Sequence, residues 1–326
     1  NLLCQQKFLS RIEQQRYVPE AVPRFLEIDV AADADLPDEL FFPAFIKPVK
    51  SFFSIGAQRV YAPEQVRALK ARWDSLDGFF LPLERLLQRY AGASFGSKRL
   101  LAEGVLKGKQ VTVEGYVHGG IAQIIGVVDS IFFPGTLAFS RFDYPSALPQ
   151  AVQHRMGDIA RRLMQAIGYD DGLFNIEMMY DEDEDLVSII EINPRMASQF
   201  ADLYEKVDGT NSYEILLDVA RGIAPPALKR GTGRYRFAAS CVLRTFDDCR
   251  VTSVPSEEVF DHLDEVFPGV RVEIHAAPGR RLSEELQDGG SYRYGIVNLG
   301  GEDQDDVMTK FKECKRRLAI GLEPAR

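Results

Sequence analysis

The sequence predicts an α+β fold built on a mainly antiparallel sheet. Strand-like segments follow one another from Arg99 to Phe132 without a helix between them. Residues Phe174 to Arg195 then read as a β-hairpin: Phe-Asn-Ile-Glu-Met-Met-Tyr, five consecutive acids, and Leu-Val-Ser-Ile-Ile-Glu-Ile-Asn-Pro-Arg. Past the hairpin, strands near Phe237–Leu243, Val270–Ile274 and Tyr292–Leu299 alternate with helices near Ser256–Val266 and Asp305–Leu318.

The elements follow in order. Leu2 to Gln14 has apolar residues at helical spacing, with Lys7 and Arg11 one turn apart. Tyr17 to Phe25, with two prolines, reads as an extended connection, and Asp29 to Asp38 as an acidic linker. Phe41 to Lys47 is a short buried strand, and Pro48 keeps Lys47 extended. A loop from Lys50 to Gly56 leads to Arg59–Tyr61 and a helix from Pro63 to Trp73. Arg99–Leu106, Gln110–Val117 and Ile121–Phe132 are strands, and Phe133–Pro149 is irregular, with three prolines. Gln150 to Ile167 is an amphipathic helix stopped by Gly168, its stripe being core packing. Asp208-Gly-Thr-Asn-Ser is a turn that caps a helix from Tyr213 to Arg221.

At 326 residues, the chain is long enough for two or three domains with a real core. The net charge of −9 argues against a nucleic-acid or acidic-membrane binder, which needs a basic footprint. No apolar run reaches the length of a membrane span, and no signal peptide is visible, so the expected location is the cytoplasm. Cys4, Cys241, Cys249 and Cys314 form no CxxC pair and are expected as free thiols. His118, His154, His262 and His275 form no HExxH pattern and read as surface or packing residues. The chain opens at Asn1, inside a helical pattern, and is expected to begin partway through a longer polypeptide.

Chemistry concentrates in the hairpin. With its turn centred on Glu184, Glu177 falls opposite Glu191 and Asn175 opposite Asn193. Alternation puts Glu191, Asn193 and Arg195 on one face, with Asn175 and Glu177 beside them. Like charges roughly 5 Å apart across a ladder repel, so two facing carboxylates and a carboxamide suit a hard divalent cation. Arg195 then stands where an anion beside that metal would sit. On spacing alone, a solvated surface hairpin fits as well.

The chain resembles the ATP-grasp superfamily, in particular its carboxylate–amine ligases related to biotin carboxylase and L-amino-acid ligases. The resemblance covers most of the chain and rests on four landmarks in order: Lys7, Phe-Ile-Lys47-Pro, Leu-Ala-Glu103-Gly-Val105, and Glu177 with Glu191-Ile-Asn193-Pro-Arg195. It implies two α+β lobes, with mainly antiparallel sheets, that clasp ATP. It divides the chain into a helix and linker at 1–32 left from a truncated N-terminal domain, a small lobe at 33–101 and a large lobe at 102–326. By the same resemblance, Lys7 and Lys47 contact the ATP phosphates and Gly56 ends the loop that covers them. Glu103 and Val105 form the hinge that reads adenine. Glu177, Glu191 and Asn193 hold Mg²⁺ (or Mn²⁺), and Arg195 stabilises an acyl phosphate and its transition state.

Three departures from the family pattern stand out. The phosphate loop is aromatic rather than glycine-rich and brings Phe52 or Phe53 near a ligand. Gln110 takes the place of a glutamate that usually binds the ribose hydroxyls, and the family's N-terminal α/β domain is expected in the part of the polypeptide before Asn1. The implied activity joins a carboxylate, an amino acid or short peptide, to an amine, with ADP and phosphate released. Arg141 and Asp143 suit the carboxylate and ammonium of an amino acid, although an exposed ion pair of little consequence fits as well. Gln199 and Arg293 are further substrate candidates, and a homodimer is the family's implied assembly. Bicarbonate activation and a non-catalytic nucleotide-binding module are the rival readings.

Overall fold

A computed structural model describes residues 2–30, 35–50, 56–71, 77–92, 98–284 and 291–325. Phe52, Phe53 and most of the expected phosphate loop lie outside the described residues, as does the expected lobe boundary at Asp33.

The strands are β1 (Phe25–Asp29), β2 (Ala44–Pro48), β3 (Gln58–Val60), β4 (Arg99–Gly104), β5 (Lys109–His118), β6 (Ile121–Phe132) and β7 (Phe139–Tyr144), followed by β8 (Gly172–Asp181), β9 (Leu186–Asn193), β10 (Phe237–Thr245), β11 (Cys249–Ser253), β12 (Arg271–Ile274), β13 (Tyr292–Gly301) and β14 (Gly321–Pro324). The helices are α1 (Leu2–Gln5), α2 (Lys7–Tyr17), α3 (Pro63–Ala71), α4 (Asp77–Ala91), α5 (Gln150–Ala166), α6 (Ala201–Asp208), α7 (Ser212–Ala220), α8 (Glu257–Val266) and α9 (Gln304–Leu318). A four-stranded sheet, β1-β4-β2-β3, forms the small lobe, and an eight-stranded sheet, β12-β13-β10-β7-β6-β5-β8-β9, forms the large one. Every pairing within them is antiparallel, as the run of adjacent strands predicts.

Burial explains the layers. The stripe on α5, with Val152, Met156, Ile159 and Leu163, packs on Val111, Val113, Ile176, Met178 and Ile189 of one sheet face. The other face carries Val128, Phe142, Tyr144 and Ala238 against Phe200, Leu203 and Tyr204 of the segment that leads into and forms α6. A third cluster joins β10 and β13 to Val307, Cys314 and Leu318 of α9. All four cysteines are buried and free.

Several boundaries differ from expectation. The first helix breaks at Gln6, whose side-chain oxygen accepts from Leu9 N–H at 2.7 Å and caps α2. Cys4, Val18 and Ala21 sit in the large-lobe core, and residues 25–29 form an edge strand of the small-lobe sheet. The proline-bracketed stretch expected to be irregular contains β7, held between β6 and β10. Two further helices are α4, which contains Pro82, and α6.

The chain passes from the small-lobe sheet into the large-lobe sheet through residues 105–108. Gly108 has φ +106°, and a Cβ there would lie 1.9 Å from the Tyr180 carbonyl oxygen. Gly108→Ala combines left-handed strain with a backbone clash and is expected to destabilise the fold by about 2–4 kcal/mol, read from the urea midpoint.

Candidate active site

The facing pairs occur as the hairpin pattern predicts. Asn175 pairs with Asn193 and Glu177 with Glu191. The route to that register differs, because the turn is centred between Asp183 and Glu184, and Met178 pairs with Ile189. Ile190 is therefore an extra residue, a β-bulge that restores the register on the site side. Its carbonyl leaves the ladder and accepts from Arg11 Nη2 at 2.9 Å and Lys47 Nζ at 3.4 Å.

Around that carbonyl, cations and anions gather from both lobes. Lys47, buried at the end of β2, lies 2.6 Å from Glu103, and Lys7, at the start of α2, lies 3.2 Å from Glu191. Arg11 donates from Nε to Glu103 at 2.6 Å. Lys7 N–H donates to the Val49 carbonyl at 2.7 Å, which ties α2 to the chain leaving β2. Lys50 donates to Gln5 at 2.7 Å.

The electrostatics follow from burial. Burial pushes the Lys47 ammonium down, and Glu103 opposes that shift. Burial alone would raise the Glu103 carboxyl, but Lys47 and Arg11 outweigh it and hold it below the usual range. Lys50 is lowered, first by burial and then by Lys7. Glu177 is pushed up to about 7 by burial, with the Glu191 charge adding to it. Its hydrogen-bond partners are carboxamides: Gln110 donates at 3.1 Å and Asn193 at 3.4 Å. A carboxyl raised beside a second carboxylate fits a divalent cation, and the donor set is all oxygen and hard. Among the described residues no group of three or more His, Cys, Asp or Glu side chains converges on one point, so water and phosphate oxygens would complete the shell.

The structure gathers Lys7, Lys47, Glu103, Gln110, Glu177, Glu191, Asn193 and Arg195 on the cleft. Gly56, expected to end a phosphate loop, has φ +74°, and Val105 follows β4 in the link between lobes. Gln199 stays on the site face and donates to Ser240 Oγ at 2.9 Å. Arg293 pairs with Arg244 at the β10–β13 end, away from the hairpin.

Arg141 and Asp143 do not face the cleft, which corrects the expectation. Phe142 between them packs with Phe200 on the site face, so alternation turns both charges to the opposite face. There they pair with each other at 2.9 Å, and Asp143 lies opposite Asp129 in the ladder.

Four residues that contribute here carried no functional expectation: Arg11, Lys50, Glu114 and Asn175. For Arg11 the signal was its place one helical turn after Lys7. Arg11→Met removes one of two cations from buried Glu103 and is expected to cost about 3–5 kcal/mol, measured by denaturant unfolding.

This architecture matches known proteins. A family model described as an ATP-grasp domain matches residues 40–202, half of the chain. The chain belongs to the ATP-grasp family. It is 29% identical over 183 residues to a D-alanine–D-alanine ligase from Gluconobacter oxydans, covering 54% of this chain and 52% of that protein. It thus spans about half the length of that curated relative. An L-amino acid ligase from Bacillus licheniformis superposes with TM-score 0.74 at 16% identity, covering 99% of this chain and 74% of that one. Biotin carboxylase from Campylobacter jejuni superposes with TM-score 0.67 at 18% identity, covering 98% and 68% respectively. These two likenesses establish the fold.

Proposed function

We propose that the protein is an ATP- and Mg²⁺-dependent ligase acting on small molecules in the cytoplasm. It joins a carboxylate, an amino acid or short peptide, to an amine through an acyl phosphate, with ADP and phosphate as products. The observation that carries this reading is the cleft itself, where Lys7 of α2 pairs with Glu191, Lys47 of β2 pairs with Glu103, Glu177 faces Glu191, and Arg195 reaches Asn193 beside them. The ligases named among the similar proteins support the reaction class.

The chemistry follows from charge. A carboxylate is a poor electrophile, and ATP with Mg²⁺ supplies the phosphoryl group that activates it. Lys7 and Lys47 would neutralise phosphate oxygens, and their ion pairs to Glu191 and Glu103 keep them oriented in the cleft. Glu177 and Glu191 would hold the metal, with Asn193 as the neutral oxygen donor. Arg195, exposed at the end of the hairpin, would stabilise charge on the activated carboxylate as the amine attacks. No nucleophilic serine or cysteine is required.

The test is phosphate release with ATP and Mg²⁺, screened over pairs of amino acids and over bicarbonate, with mass spectrometry of reactive mixtures. Release that needs two amino acids and yields a new amide is the expected result. Release driven by bicarbonate alone, or none with any pair, contradicts it.

A further inference from the structure

Beyond the phosphate and metal side chains, the reaction centre depends on how the arm after β9 is held. This arm leaves the ladder at Asn193 and carries Arg195 toward α6. Pro194 lacks an N–H, and Arg195 N–H closes only a tight turn to the Asn193 carbonyl at 2.8 Å. Such a segment needs outside partners to keep one conformation.

Those partners come from one row of the sheet. Glu114 pairs with Asn175 across β5–β8, and Asn175 pairs with Asn193 across β8–β9. Asn193 donates to the Asn175 carboxamide oxygen at 3.1 Å, and Asn175 donates to the Arg195 carbonyl at 2.9 Å. Glu114 accepts from Ala197 N–H at 2.8 Å and from Tyr204 O–H at 3.1 Å. Gly126, opposite Glu114, admits Tyr204 to this place, since a Cβ there would lie 2.6 Å from the Tyr204 ring.

We propose that Glu114 is a positioning residue of the reaction, clamping the arm so that Arg195 meets the activated carboxylate. The proposal rests on the ligase reading for the role of Arg195. Glu114 is fully buried, where a carboxyl costs more to desolvate than an apolar side chain of the same size. Burial pushes its pKa up to about 8, against the pull of the Ala197 N–H, Tyr204 O–H and the Arg195 charge. What the carboxyl supplies, and an apolar group would not, is an acceptor aimed at the arm.

The experiment compares Glu114→Met, which fills the space without an acceptor, with Glu114→Gln, which keeps one. Glu114→Met should lower kcat at least about tenfold with KM for ATP within about twofold, as misplacement of a reacting group does. Glu114→Gln should restore kcat to within about threefold of wild type. Combined with Arg195→Ala, Glu114→Met should add no further loss, because both act through one group. Hydrogen exchange at the Ala197 amide should speed at least about tenfold in Glu114→Met while β8 and β9 stay protected. Unchanged exchange at Ala197, an additive double variant, or equal loss in the Gln and Met variants overturns the proposal. If wild type releases no phosphate with any pair, the ligase reading falls, and the Ala197 exchange still decides the clamp.

Discussion

Glu191→Ala should lower ATP-dependent phosphate release by at least about 10³-fold at saturating substrates, since it removes one of the two carboxylates proposed to hold the metal. The variant should remain folded, because Glu191 is half-buried at the cleft and belongs to none of the hydrophobic clusters. Glu191→Gln keeps an oxygen in place and should fall between the two, with partial recovery at high Mg²⁺. Circular dichroism and the thermal midpoint check the fold, and a phosphate-release assay checks the rate. Activity within tenfold of wild type would remove Glu191 from the metal site.

The second large effect is a pH dependence of metal binding. Glu177 titrates near 7 in the metal-free protein, raised first by burial and then by Glu191. A cation must displace that proton, so apparent affinity should rise about tenfold per pH unit below 7 and level off above it. From pH 5 to pH 7 the gain is about 50-fold, and it approaches about 100-fold well above pH 7. Stability linkage runs the other way. The folded carboxyl holds its proton where the unfolded one, near pH 4.3, has lost it. Its contribution to metal-free stability is therefore complete below the unfolded value and is lost as pH rises through about 7. Calorimetric titration of Mg²⁺ with ATP across this range tests the affinity, and Glu177→Gln should flatten the profile. A flat wild-type profile contradicts the assignment.

Much of the fold was legible because its strands are adjacent in sequence and bounded by turns. The hairpin pairs were legible because two acids and two amides stand at mirrored distances from an acidic turn. The bulge at Ile190 was not, since a one-residue insertion leaves no compositional trace, and an unbulged hairpin with its turn centred on Glu184 would give the same facing pairs. Arg141 and Asp143 show the limit of position without register. They lie in the right segment, but a strand alternates, and Phe142 holds the place on the site face. β7 itself was hidden by the prolines around it, because its hydrogen-bond partners come from β6 and the distant β10. Gln110 shows another limit. Beyond its place at the expected ribose position, it donates to Glu177, a partner 67 residues away in sequence. Arg11 and Glu114 carry no signal of their burial in the sequence because a buried polar group is defined by its partners, which only the folded chain brings together.

The most direct test of the central claim uses the carboxylate substrate labelled with ¹⁸O in its carboxyl group. If the carboxylate attacks the γ-phosphorus of ATP, one labelled oxygen must leave with phosphate when the amine displaces it. Mass spectrometry of the released phosphate should then show one ¹⁸O per turnover, dependent on the amine and lost in Glu191→Ala. Unlabelled phosphate accompanying amide formation would contradict activation through an acyl phosphate.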